Sequence, residues 1–173
     1  MPIILLIVST LAFWALYWFV QMGGIDHFRR QKAQRKEEAQ RQEARERARV
    51  APLRAVDDPR DAVAILMVLI ARANGDPTRE QIVAIEEKLR SIFGFERELP
   101  ERMTQARFIA RQADSFEQAA AVFAPLFRQR LTRDECRQLV DMLEDIAQHE
   151  APSEIQIEAI AALKPMIGLA PAR

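Results

Sequence analysis

Few side chains in this chain of 173 residues could carry covalent or proton-transfer chemistry: one cysteine (Cys136), two histidines (His27 and His149) and one tyrosine (Tyr17). A nucleophile needs a base within hydrogen-bond reach and a third group to orient that base. No such trio assembles from this set. One cysteine excludes an internal disulfide framework, and with only two histidines it argues against a structural zinc site. The five glycines form neither a dinucleotide-binding fingerprint nor a Walker-type loop, so nothing is available to cradle a phosphate chain. The carboxylate pairs Asp57-Asp58 and Glu86-Glu87 are sequence neighbours that point apart on a helix, which makes them solvated faces and not acid/base dyads. Cys136 falls one turn into a helix opened by Thr132. The positive helix end would activate its thiol, whereas burial would leave it a plain packed side chain. The expectation is a non-enzymatic protein with no catalytic residue.

The residues that remain are organised by charge. Lys and Arg number 25 and Asp and Glu 25, a formal net charge of zero, and 49% of residues are hydrophobic, which excludes a fully disordered chain. The zero is a sum of unlike parts. Up to Arg49 there are nine basic and five acidic residues, and beyond it sixteen and twenty, giving +4 and −4. Between Met1 and Ile25 no side chain is charged.

Ile3 to Met22 form a run of 20 residues in which only Ser9, Thr10 and Gln21 are strongly polar. As a helix it would span roughly 30 Å, the thickness of a bilayer core. A secretory signal would need a basic start, a shorter apolar stretch and a small-residue cleavage site, and none of these is present. A retained single-pass anchor is therefore expected over residues 1–25, with Trp14, Tyr17 and Trp18 near one interface. Arg29, Arg30, Lys32, Arg35 and Lys36 follow it closely, and the positive-inside rule then sets the N-terminus outside and the remainder in the cytoplasm of a bacterial-type inner membrane. Cys136 would be a free thiol there.

Residues 26–56 form a basic linker. Its first part lacks Pro and Gly and carries the Glu-first i,i+4 pairs Glu37/Arg41 and Glu43/Arg47, so a helical stalk is expected. Its apolar positions (Ala33, Ala39, Ala44, Ala48, Val50) are too thin for a coiled-coil seam. The basic cluster at Arg29 to Lys36 could grip anionic lipid head groups or serve only as the topology signal. Nucleic acid is not an expected partner.

Residues 57–173 read as one all-α domain of about six helices. Capping boxes are expected at Thr78/Gln81, Ser115/Gln118, Thr132/Glu135 and Ser153/Gln156, and Asp58-Pro59 gives a fifth helix start. The run Ala62 to Ala71 is apolar on every side yet too short to span a membrane, so it is the expected central buried helix. A third helix is expected over about Glu101 to Ala113, and Pro125 is expected to bend or end the fourth. Residues 73–95 and 147–169 resemble each other: Glu80, Leu89 and Gly94 pair with Glu154, Leu163 and Gly168 at one offset, Gln81, Ile82 and Ile85 with Gln156, Ile157 and Ile160 at the next.

The apolar helix, the Ala-Asn-Gly turn at 73–75, the Phe-Gly-Phe helix end at 93–95 and the second helix-turn-helix together resemble the TerB-like (tellurite-resistance TerB) helical domain over residues 57–169. The same domain follows an N-out anchor in the DjlA membrane co-chaperones, although this chain contains no His-Pro-Asp tripeptide and no J-domain activity is implied. The resemblance implies a weak divalent-cation site in two acidic turns, at Asn74, Asp76 and Glu80 and at Glu150 and Glu154. Both turns depart from the family pattern, with Asn74 in place of an aspartate and Gln148-His149 in place of Asp-Gly. Calcium wants about 6–8 oxygen ligands, so no firm cofactor is expected. Without a metal, Asn74-Gly75 would serve the turn and Asp76, Glu80 and Glu154 the helix N-termini.

The functional expectation is a membrane-anchored TerB-like interaction or stress-response module with an unidentified protein partner and membrane lipid as its neighbours. A divalent-metal sensor and a co-chaperone-like accessory protein are the alternatives. Nothing in the sequence sets the oligomeric state.

Overall fold

The computed structural model describes residues 50–149 and 151–169. The chain divides between Glu46 and Arg47, and all described residues belong to the unit beginning at Arg47. The apolar run at residues 3–22, the basic residues Arg29, Arg30, Lys32, Arg35 and Lys36, and Glu150 lie outside the described residues.

Six helices follow a short helical stretch at residues 50–54, and there is no strand among the described residues. They are α1 (Pro59–Ala71), α2 (Arg79–Ser91), α3 (Leu99–Gln112), α4 (Phe116–Arg130), α5 (Arg133–Gln148) and α6 (Glu154–Met166). The domain is all-α, as its patterning requires. None of the described helices is long and apolar enough to cross a membrane.

Helix α1 begins where Asp58 accepts a hydrogen bond from the Arg60 amide and Pro59 occupies the first turn, its missing N–H costing nothing there. Every residue from Ala62 to Ala71 is buried. That uniform burial follows from position, since α2, α3, α4 and α5 all pack against α1. Each large aliphatic side chain so enclosed contributes about 1.5–3 kcal/mol. Helix α6 closes the bundle against α4 and α5. Two aromatic rings from α4, Phe123 and Phe127, fill the interior at a centroid distance of 6.2 Å.

The helix starts follow the sequence closely, with one difference of detail. Thr78, Thr132 and Ser153 form reciprocal capping boxes with Gln81, Glu135 and Gln156. Ser115 accepts from the Gln118 amide, but the Gln118 side chain reaches past it, its Oε1 accepting from the Asp114 amide at 2.9 Å. The third helix begins at Leu99, two residues before the expected start, because Pro100 suits a first turn.

Pro125 does not end α4, which runs on to Arg130. The carbonyl left without a donor is that of Ala121, and Ala121 and Pro125 are both exposed, so the break in the ladder falls on the solvent side of the helix. The domain also starts earlier than residue 57. Leu53 is fully buried in the core and Val56 packs against it, which takes the compact unit back into the expected linker.

The resemblance between residues 73–95 and 147–169 extends to local geometry. Gly94 at φ +69° and Gly168 at φ +82° both end a helix in the left-handed region. Beyond Gly94 the Phe95 amide turns back to the Leu89 carbonyl at 3.2 Å. Beyond Gly168 the Leu169 amide reaches the Lys164 carbonyl at 2.9 Å. Gln81 and Gln156 are the two buried polar residues of the described domain.

Candidate functional site

A groove of about 510 Å3 is bounded by the N-terminus of α1, the end of α2 and the corner between α4 and α5. Val63, Ile92, Phe93, Leu131, Leu139 and Met142 supply its apolar surface. Asp57, Asp58, Arg60, Arg130, Glu135 and Gln138 form the polar part. The sequence places these elements here for local reasons. Asp58-Pro59 starts α1, Gly94 stops α2 just after Ile92-Phe93, and the Thr132 box turns the chain sharply from α4 into α5.

The charges around the groove are largely engaged with one another. Asp58 Oδ2 lies 2.7 Å from Arg60 Nη2, and this pairing is the main cause holding the Asp58 carboxyl below its ordinary range. Behind it, Arg102 bridges helices: its Nη1 meets Asp61 at 2.6 Å and Asp58 at 3.3 Å, and its Nε meets Glu98 at 2.8 Å. The Arg102 guanidinium also stacks 4.1 Å from the Phe95 ring centroid, and Arg60 stacks 4.9 Å from the same ring. Arg102 is consequently held even more firmly protonated than an ordinary arginine, its ion-pair partners outweighing the cost of burial. Glu135 is tied into the helix start, its Oε2 accepting from the Thr132 amide at 2.7 Å, which lowers its pKa. Asp58 and Glu135 are thus both held ionised by bonds within the domain.

The other residues with reactive potential are dispersed. Cys136 is buried on α5, and that burial, with the Glu135 charge beside it, raises the thiol pKa. It is the packed thiol of the two readings, because loss of solvent outweighs the helix end. His149 is the exposed C-cap residue of α5.

The acidic turns are placed as follows. Asn74 Nδ2 donates to Gln156 Oε1 at 3.3 Å, so the first turn is bonded to the start of α6. Glu80 and Glu154 sit exposed in the first turns of α2 and α6. Asp76 lines a separate small cavity together with Arg72, Arg107 and Arg111, surroundings that oppose a cation. Asp76, Glu80 and Glu154 do not come together, and the described residues contain no group of three or more His, Cys, Asp or Glu able to share a metal ion. Glu150, the fifth residue of that set, lies outside the described residues.

Sequence patterning missed both cavities. The apolar members of the groove were legible only as core candidates, and nothing local signals that Ile92 remains 37% exposed. Compared with family models, with curated proteins and with solved structures, the chain matches none.

Proposed function

We propose that the helical domain is a non-catalytic recognition module that takes an apolar segment of a protein partner into the groove between α1, α2 and the α4–α5 corner. The observation that carries this reading is the groove's division of labour. At about 510 Å3 it is within the usual range for a binding cavity of about 300–1,000 Å3, and its apolar residues come from α1, α5 and the connections that follow α2 and α4. A small-molecule site fixes its ligand with a few convergent polar groups. Here Asp58 and Arg60 bind each other and Glu135 binds the Thr132 amide, so the apolar walls carry most of the recognition, with Asp57, Arg130 and Gln138 as the remaining polar groups. An apolar side chain presented by a peptide or helix suits such a surface.

In the full chain this module is a TerB-like domain on the cytoplasmic side of a bacterial-type inner membrane, acting in a stress response. The anchor rests on the uncharged apolar run at residues 3–22 and the basic residues after it. The family reading rests on the motif resemblance, with the recurring capping box and glycine-ended helix consistent with it. Extraction of the full-length protein by detergent but not by carbonate tests the anchor; release by carbonate alone would refute it. Ile92→Lys tests the groove, because Ile92 is partly exposed and its replacement should abolish partner capture while leaving the fold intact.

A further inference from the structure

Three arginines line one small cavity away from the groove. Arg72, the C-cap residue of α1, and Arg107 and Arg111 of α3 face a space of about 120 Å3 bordered by Asp76 from the loop before α2. Val68, Ile85 and Met103 contribute apolar wall. Arg107 and Arg111 are i,i+4 neighbours on one helix face, where like charges repel. Arg72 uses one of its five donors on the Ala110 carbonyl at 3.0 Å, which fixes it against α3 and leaves the rest available.

Two observations show polar groups here that the domain leaves without a partner. The Arg107 Nε is buried from solvent and has no hydrogen-bond partner among the described residues. A buried donor left unmade is costly, and native structures rarely tolerate one without a reason. Asp76 is the one carboxylate in the lining, and no ion pair among the described residues joins it to these arginines. Three cations against one anion leave an excess of two positive charges.

We propose that this cavity binds a single phosphate group, either inorganic phosphate or the phosphate of a small monoester. Size sets the first limit: about 120 Å3 is well short of the roughly 300–1,000 Å3 of a site for a larger ligand. Charge sets the second. A phosphate monoester carries about −1.5 to −2 at neutral pH, which matches the excess, whereas a carboxylate leaves half of it uncompensated. Guanidinium forks fit phosphate oxygens in pairs, and the apolar wall strengthens those contacts by excluding water.

The test is titration of the full-length protein with inorganic phosphate, sulfate and acetate, followed through the arginine Nε–Hε resonances and by calorimetry. Phosphate and sulfate should saturate one site and move the Arg107 resonance, with acetate weaker by about tenfold or more. Phosphate affinity should fall as the pH is lowered from about 8 to about 5 and the dianion takes up a proton, while sulfate affinity should not. Arg107→Gln should weaken phosphate by about tenfold or more, and Arg133→Gln should leave it unchanged. If Arg107→Gln lost its helical circular dichroism, the exposed Arg111→Gln would carry the same expectation. Acetate binding as tight as phosphate, or no saturable shift at millimolar phosphate, would overturn the proposal. A methyl or benzyl phosphate that binds more tightly than inorganic phosphate would identify the monoester as the better ligand.

Discussion

Gln156 donates from Nε2 to the carbonyl of Ile70 at 2.9 Å, joining the start of α6 to the last turn of the central helix across 86 positions of sequence. Its Oε1 meanwhile accepts from the Ser153 amide at 3.0 Å and from Asn74 Nδ2 at 3.3 Å. One fully buried amide thus caps its own helix, satisfies a helix-end carbonyl of α1 and ties down the turn between α1 and α2. A polar residue in the core is stable here because both ends of the amide are bonded.

Replacing Gln156 should therefore cost more than an ordinary helix cap. Gln156→Ala is expected to lower the unfolding free energy by about 2 kcal/mol, since it removes a cap bond, the tie to Asn74 and the side-chain bond to the Ile70 carbonyl, which keeps only its backbone bond from Ala73. Urea denaturation of the full-length protein measures it. Glu154→Gln, on the exposed side of the same helix turn, should stay within about 0.5 kcal/mol.

The two helix-ending glycines make a second pair of tests. Nothing lies within 4 Å of a Cβ placed at Gly94 or Gly168, so any cost of Ala there is conformational and not steric crowding by neighbours. Gly94→Ala and Gly168→Ala should each destabilise by about 1–2 kcal/mol, from the left-handed φ alone. Thermal unfolding should show losses of similar size at the two positions.

Acid should weaken the fold through Asp58. Its carboxyl pKa is depressed in the folded state, chiefly by the side-chain bond from Arg60, so the stability it contributes is present above its unfolded pKa of about 3.9 and is lost as pH falls through the folded value. Urea midpoints measured from pH 6 downward should fall steeply below about pH 4. Asp58→Asn keeps the cap but removes the charge, and should flatten that part of the profile.

The thiol of Cys136 should behave as a core group. Buried and with a raised pKa, it should react with a maleimide or disulfide reagent far more slowly in the native protein than in urea. Rapid native labelling at neutral pH would contradict the packing around α5.

Much of this domain is legible in its sequence because the signals are local. Asp58-Pro59, Thr78, Thr132 and Ser153 each announce a helix within four residues, and the apolar run from Ala62 to Ala71 has no solvated face to offer. Pro125 left open whether α4 would end there or continue, because the exposure of Ala121 and Pro125 at the surface is a tertiary property. Leu53 gave no sign of its burial because one leucine among charged neighbours carries no period. The two cavities are less legible still. Arg72, Asp76 and Arg107 come from three elements, and only the packing of α1, α2 and α3 brings them to one space. The acidic turns illustrate the converse: Asp76, Glu80 and Glu154 suggested a shared ion by type and by resemblance, but Asp76 and Glu80 lie at the start of α2 and Glu154 at the start of α6, with no group of three possible ligands among the described residues.

The groove is tested most directly by photocrosslinking in intact cells. A photoreactive residue at Gln138, on the groove, should give a discrete protein adduct that disappears when Ile92→Lys is combined with it. The same probe at Val83, exposed on α2 outside the groove, should not give that adduct. An identical adduct from Val83, or one at Gln138 that survives Ile92→Lys in a folded protein, would contradict recognition through this groove.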